Sequence, residues 1–323
     1  MVTDVARARD RLQGAGCITV VSHIRPDGDA IGSLLGLGLS LQKQGRKVAM
    51  VLADGVPGRF TFLPGADQVL ATLPPACDLL VAVDCSTGDR LSASFDLPDR
   101  KVDLNIDHHI TNTRFGTLNL VDPQAAATAE ILAGLAPELG LPIDADVAGC
   151  YLTGIVTDTI GFRTSNVTPR LLRLAAELIE HGAPLAEVYD RGLNRRTLAS
   201  VRYWGHGLVK LERADGLVWA TLTKDDRSQS GYHGLDDADL INLVSSLEEA
   251  EIAIVFVEQP GGKVKVSWRS RGDLDVAGVA GQFGGGGHEP AAGAMIHGSL
   301  EEILPAVLQA SQALLSQPRG TRG

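Results

Sequence analysis

Cysteine is scarce in this chain: Cys17, Cys77, Cys85 and Cys150 are scattered through 323 residues with no CxxC pair. That spacing excludes a thiolate zinc site and a disulfide framework, and it fits buried thiols in a reducing, cytoplasmic compartment. Aromatic residues make up only 4% of the sequence, too few for an extended platform on which many bases stack. No uninterrupted apolar stretch approaches the length of a membrane span. The opening MVTDVARARDRLQGAG lacks the apolar core of a signal peptide. Positive charge is in deficit, with 29 Lys and Arg against 39 Asp and Glu and a formal net charge of −10. A long phosphate backbone is held through many Lys and Arg contacts, so this balance argues against a long nucleic-acid partner. It leaves room for a small phosphorylated ligand gripped by a locally positive site.

A length of 323 residues is comfortable for two domains, and 44% hydrophobic with 21% charged content is ordinary for a folded protein. The first half alternates short apolar runs, at 17–23, 46–53, 78–86 and 101–109, with stretches of helical periodicity at 29–44, 124–139, 144–157 and 168–181. Buried-looking strands alternating with helices favour an α/β domain built on a parallel, doubly wound sheet. We assign this domain to residues 1–185. The polar, basic stretch that follows reads as a linker helix over 186–208. Beyond it, runs at 216–224, 251–259 and 262–272, helices near 236–248, 274–282 and 299–315, and a strand in AAGAMIHG describe a smaller α+β domain over 209–323. The tail SQPRGTRG is expected to fray.

The segment SHIRPDGDAIGS brings His23, Asp27 and Asp29 into seven consecutive positions at a strand-to-helix junction. A carboxylate pair that close repels itself unless a cation or proton shares the site. Asp27 or Asp29 could instead cap the helix that follows. Two further apolar strands end similarly: LLVAV at Asp84, and VDLNI at Asp107, His108 and His109. Asp84 alone reads more readily as an ordinary turn residue. In an open parallel sheet, however, the carboxyl ends of the strands line one edge, where ligands bind. A fourth element, CYLTGIVTDTIGF, is apolar except for Asp158 and its flanking threonines. A buried aspartate without a partner is costly, so Asp158 is either a ligand or a local cap. The candidate ligand set is therefore His23, Asp27, Asp29, Asp84, His108 and Asp158. Carboxylates with a little imidazole suit Mn2+ or Mg2+. Six such groups are too many for one ion and suit two, the arrangement used for in-line displacement at phosphorus.

The run Gly284–Gly287 could be a flexible linker. It lies between a predicted helix and a predicted strand, however, and ends at His288, which makes it a candidate anion loop whose amides approach a phosphate without a Cβ in the way. Arg269 and Arg271 alternate on a predicted strand and point one way, with Ser270 opposite. One of them is expected to neutralise a phosphate.

In this order SHIRPDGDA, VDCS, IDHH and TDTIGF resemble the four signature motifs of the DHH phosphoesterase superfamily. SWRSRG followed by GGGGHEPAAGA resembles the DHH-associated substrate-binding domain. In length and two-domain layout the chain is most similar to the nano-RNase (oligoribonuclease)/pAp phosphatase group. The resemblance implies that His23, Asp27 and Asp84 hold one divalent cation, and that Asp29, Asp84, His108 and Asp158 hold a second, with Asp84 bridging. Mn2+ is the expected ion and Mg2+ the alternative. Asp107 would orient a ligand histidine through its ring N–H, and His109 would lie near the metals and the scissile phosphate. In the second domain Arg269 and Ser270, with Arg271 beside them, and Gly285, Gly286, Gly287 and His288 would grip a terminal phosphate or nucleotide.

The activity implied is hydrolysis of very short oligonucleotides (nanoRNA) to mononucleotides, together with removal of the 3′-phosphate of pAp. Hydrolysis of a cyclic dinucleotide such as c-di-AMP, or of its linear product, needs the same two domains and is the first alternative. A single-strand exonuclease of this type would be longer and carry a basic domain, and a pyrophosphatase would lack the GGGGH segment. A non-catalytic nucleotide sensor would show a degenerate metal site, and none of the six ligands is missing. The oligomeric state is left open, a homodimer included.

Overall fold

Short runs of Val, Ile and Leu become the first sheet because both of its faces are covered. In the computed structural model, which describes residues 2–92, 95 and 101–316, the chain separates into two units, Met1–Arg195 and Arg196–Gly323. The first unit carries β1 (Cys17–Val21), β2 (Lys47–Val51), β3 (Leu79–Val83), β4 (Leu104–Asp107) and β5 (Leu118–Val121) in one parallel sheet of order β2-β1-β3-β4-β5. Ile18, Val20, Val81, Val83 and Ile106 face the larger core, built by α1 (Val2–Gly14), α2 (Gly28–Lys43), α4 (Thr128–Leu139), α5 (Ala145–Asp158) and α6 (Pro169–Glu180). Val21, Val51, Leu80 and Ala82 face the other way, into a smaller cluster completed by Phe95, Val102 and Leu91 of α3 (Gly88–Ser92). The sheet reverses its order between β1 and β3, the crevice position where ligands bind in such folds. Each of the four expected strands is present, trimmed at its ends. β5 and α1 were not anticipated.

Glycine sets the spacing of α2 and α5. Gly28, Gly32 and Gly36 recur every fourth residue, which stacks them on one face of α2. A Cβ at Gly32 would lie 2.4 Å from the Cys150 carbonyl oxygen, and one at Gly36 would lie 2.3 Å from the Tyr151 ring. From the α5 side, a Cβ at Gly154 would lie 2.7 Å from Asp29 Oδ1. The two helices thus meet nearly backbone to backbone, which brings the first turn of α2 beside the last turn of α5.

The stretch 186–208 is not the single linker helix expected. It is α7 (Leu185–Tyr189), a π-helical turn (Asp190–Asn194) and α8 (Leu198–Leu208), interrupted by extended Arg195 where the two units divide. The second unit contains β6 (Glu212–Ala214), β7 (Leu217–Leu222), β8 (Ile252–Gln259), β9 (Lys263–Ser270), β10 (Gly286–His288) and β11 (Ala291–His297). Their order is β10-β11-β9-β8-β7-β6, antiparallel except for the β7–β8 pair. Trp219, Ile254, Phe256 and Trp268 pack with α11 (Val276–Gly281) and α12 (Leu300–Leu315), while Val218, Ala220, Val255 and Val257 pack with Tyr203 and α10 (Leu240–Val244). This is the smaller α+β unit expected. α9 (Lys224–Ser230) was not foreseen, and the helix expected over 236–248 shrinks to α10. Ala238 and Asp239 take φ of 52° and 66°, which no right-handed helix accommodates. The tail from 317 onward, expected to fray, lies outside the described residues. Among the described residues, no helix is long and apolar enough to cross a membrane.

Candidate metal centre

The ends of β1, β3 and β4 converge through short polar links. Beyond β1, the Ser22 hydroxyl donates to Val83 O at 2.8 Å, tying the exit of β1 to that of β3. His23 Nδ1 lies 2.7 Å from Ile24 O. That contact assigns the ring proton to Nδ1 and leaves Nε2 as a lone-pair donor, 3.5 Å from Asp84 Oδ2. Asp27 is the N-cap of α2, its Oδ1 accepting from the amides of Asp29 (3.1 Å) and Ala30 (3.0 Å). Its carboxylate also lies within 4.8 Å of ligand atoms of His23 and Asp84. Capping and membership of the cluster therefore coexist.

Asp29 is buried in the first turn of α2. Its Oδ2 accepts from the Thr128 amide at 2.6 Å, and its Oδ1 accepts from the Ala129 amide at 3.0 Å and the Ser33 hydroxyl at 3.2 Å. It thereby caps α4, a helix far away in sequence. Asp84 follows β3 with a left-handed φ of 54°. Its amide donates to Ile106 O at 2.9 Å and its Oδ1 accepts from the Thr128 hydroxyl at 3.0 Å. His108 Nδ1 faces Ala125 O at 3.3 Å, which turns its Nε2 toward the carboxylates. That atom lies 3.6 Å from Asp158 Oδ2, 3.8 Å from Asp84 Oδ1 and 3.9 Å from Asp29 Oδ2. Asp158 closes α5, with its side chain largely but not wholly withdrawn from solvent.

These residues fall into overlapping triads whose ligand atoms lie within 4.8 Å of one another: His23–Asp27–Asp84, Asp29–His108–Asp158 and Asp84–His108–His109. The electrostatics are those of buried carboxylates that repel one another and are partly offset by imidazoles. Burial pushes Asp29 well above the usual carboxylate range, and the Asp84 and Asp158 charges add to it. Burial, with Asp27 and Asp84, lifts Asp158 to about 7 against the pull of His108. Burial alone would depress His108, but Asp158, Asp29 and Asp84 together raise it to about 9. Asp84 is the exception: burial opposes its charge, yet His23, His109 and His108 hold it well below the normal value. Four carboxylates and two imidazoles gathered in overlapping triads form an oxygen-rich donor set that fits divalent cations.

Asp107 is fully buried, and its Oδ1 lies 2.7 Å from Nδ1 of His109. It was expected to orient a histidine of the site; the ring it holds is that of His109, while the Ala125 carbonyl faces His108. The two histidine rings stand 4.6 Å apart at 61°. Asn112, which bonds Asp107, and Asn105, which bonds Asn112, were not singled out from the sequence. The only signal was an asparagine between the apolar Leu104 and Ile106.

In the second unit, Arg269 pairs in register with Ala291, and Ala291 with His288, so His288 and Arg269 share one row across β10, β11 and β9. Ser270 donates its hydroxyl to Leu274 O at 2.6 Å. Arg271 does not simply repeat Arg269 on the strand. It lies past the end of β9 and donates to Glu248 O (3.2 Å) and Ser245 O (3.3 Å). The glycine run is also more structured than a loop. The amides of Gly284 and Gly285 close α11 on Gly281 O and Ala280 O, and Gly286–His288 form β10. A Cβ at Gly285 would lie 2.2 Å from Gly293 O, and one at Gly287 would lie 2.4 Å from Ala291 O.

Residues 17–155 match the DHH family, N-terminal domain, and residues 218–317 match the DHHA1 domain. The chain is 40% identical to the bifunctional oligoribonuclease and PAP phosphatase NrnA of Thermus thermophilus, over 94% of this chain and 91% of that protein. The chain belongs to the DHH family. The DHH match contains His23, Asp27, Asp29, Asp84 and His108 and ends just before Asp158. An exopolyphosphatase-related protein from Bacteroides fragilis shares the fold with a TM-score of 0.88, at 24% identity over 96% of both chains. RecJ from Thermus thermophilus, in complex with Mn2+, shares it with a TM-score of 0.56, at 18% identity over 98% of this chain and 55% of that one.

Proposed function

We propose that this chain is a two-cation phosphoesterase that cuts very short oligonucleotides to mononucleotides and removes the 3′-phosphate of pAp. The carrying observation is Asp84, which belongs to two of the ligand triads and lies 3.5 to 3.8 Å from His23, His108 and His109. A carboxylate shared by two such triads would serve both ions of a two-cation site. On this reading His23, Asp27 and Asp84 hold one ion, and Asp29, Asp84, His108 and Asp158 hold the other. The oxygen-rich donors favour Mn2+, with Mg2+ as the alternative. When bound, such ions polarise phosphoryl oxygens and lower the pKa of water.

The rest of the work falls to side chains. His109, fixed by Asp107 and partly exposed, can hand a proton to the departing oxygen. Arg269 and His288, sharing one row of the second sheet with Ser270, Gly286 and Gly287 nearby, offer donors to a terminal phosphate or nucleotide. Arg271 braces the same corner through its two carbonyl contacts. The substrate class follows the printed name of the Thermus relative, an oligoribonuclease and PAP phosphatase. Four free thiols accord with a cytoplasmic setting.

The test is a panel of labelled dinucleotide, pentanucleotide, pAp and cyclic dinucleotide, incubated with Mn2+ and with EDTA. Mononucleotides from the dinucleotide and AMP from pAp are expected, both abolished by EDTA. Cleavage of the cyclic substrate alone would replace this reading with the c-di-AMP one. Full metal occupancy without any turnover would leave a nucleotide sensor.

A further inference from the structure

His109 is held by one carboxylate, and what holds that carboxylate is equally specific. Asn112 Nδ2 lies 2.5 Å from Asp107 Oδ2, 2.9 Å from Asn105 Oδ1 and 3.1 Å from Cys85 O. Asn105, fully buried in β4, donates its own Nδ2 to the same Cys85 carbonyl at 3.2 Å. The orientation of the Asn112 amide is not arbitrary. Its Oδ1 accepts the Arg114 amide at 2.6 Å, and only an oxygen can accept there, so the NH2 group must face the three acceptors. The Asn112 backbone amide donates to His109 O at 3.1 Å, closing the turn that carries both residues. The network therefore runs from the carbonyl beside Asp84, through two asparagines, to Asp107 and on to His109 Nδ1. With Asp107 Oδ1 as the acceptor at that contact, His109 donates from Nδ1 and keeps Nε2 for other work. None of these asparagine contacts involves His23, Asp27, Asp29 or Asp158.

We propose that Asn112, backed by Asn105, is a positioning residue for His109 and acts through Asp107; only the kinetic part of this proposal rests on the phosphoesterase reading above. Asp107 is a buried acceptor with few donors, and its rotamer is set from two sides. His109 pulls on Oδ1 and Asn112 on Oδ2. Without Asn112 the carboxylate is left with an unmet lone pair and is free to turn, and the imidazole loses its fixed tautomer and direction.

The experiment uses the full chain labelled with 15N-histidine and compares wild type with Asn112→Leu, and with Asn112→Ala should the leucine variant fail to fold. In the metal-free protein, wild type is expected to give a resolved His109 Nδ1–H signal. The variant loses or broadens that signal while the remote His206 and His233 signals stay in place. With Mn2+ and a dinucleotide, kcat is expected to fall about ten- to a hundredfold at unchanged KM and metal content. In a His109→Ala background the same substitution costs nothing further, because its effect has no other route. A persistent His109 Nδ1–H signal in the variant, or an equal loss of rate in both backgrounds, would overturn the proposal. If wild type cleaves no phosphoester at all, the phosphoesterase reading fails, and the spectroscopic comparison still decides the role of Asn112.

Discussion

Two aspartates of the same cluster are bound to the fold in opposite ways, and their substitutions should part company. Asp84 adopts a left-handed backbone, a conformation that costs a non-glycine residue about 1–2 kcal/mol. Among the described contacts its carboxylate takes one hydroxyl, from Thr128, and otherwise faces imidazoles. It serves the cluster more than the fold. Asp84→Ala should lose both ions and abolish turnover on every substrate, while the metal-free melting temperature stays within a few degrees of wild type. Metal content by atomic emission, read beside a thermal melt in EDTA, checks this. A soluble variant that keeps near-normal rate sinks the two-cation assignment. Asp29 serves both masters, since it accepts two amides at the start of α4 and the Ser33 hydroxyl. Asp29→Ala should therefore lose metal and also destabilise the metal-free protein by about 1–2 kcal/mol, the usual cost of a lost cap. Urea unfolding in EDTA measures the difference between the two variants.

The helix pair α2–α5 is what lets Asp29 and Asp158 meet, and glycine is what lets the helices meet. Gly32→Ala places a methyl 2.4 Å from a backbone oxygen, where neither helix can yield cheaply. A loss of about 1–3 kcal/mol is expected, with weaker Mn2+ binding as the first turn of α2 moves off the last turn of α5. Gly286→Ala is the control in the other unit, because nothing lies within 4 Å of its added Cβ. It should leave stability within about 0.5 kcal/mol of wild type. Unfolding curves and isothermal titration with Mn2+ read both. This level of organisation was only half legible in the sequence. The strands announced themselves because burial on both faces demands unbroken apolar runs, and the site showed because three of those runs end in metal-capable residues. β5 hid because LNLV is only four residues long, with two of them half-buried. The glycine stripe hid because Gly28, Gly32 and Gly36 look like ordinary small residues until α5 is laid against them. Which histidine Asp107 faces was not legible at all: adjacent histidines in IDHH are equivalent in one dimension, and only the backbone decides which ring turns toward the carboxylate.

For the whole molecule, substrate length is governed by where positive charge is available. The chain has 39 acidic and 29 basic residues, and the donors proposed for phosphate, Arg269, Ser270 and the Gly286–His288 strand, gather at one corner of the second sheet. Arg269 itself donates to Trp268 O at 2.9 Å, and several of the other cations are engaged as well. Arg271 bonds two carbonyls, Lys210 bonds Asp226 and Lys43 pairs with Asp144. The aromatic content of 4% supplies no row of stacking faces either. A long strand gains affinity only from phosphates that meet cations along its path, each contact releasing condensed counterions and steepening the dependence on salt. On the proposed reading of a single terminal clamp and a metal pair, added nucleotides bring no added contacts and still lose conformational freedom on binding. Turnover should therefore be fastest on two to a few nucleotides and fall on a twenty-residue strand. The logarithm of the apparent affinity for a dinucleotide should drop with the logarithm of salt at a slope of about −1 to −2, the value for one or two neutralised phosphates. Initial rates on both substrates between low and moderate salt measure the two quantities together. A faster rate on the long strand, or a slope several units steeper, would reveal a basic track along the surface and turn the assignment toward a single-strand exonuclease.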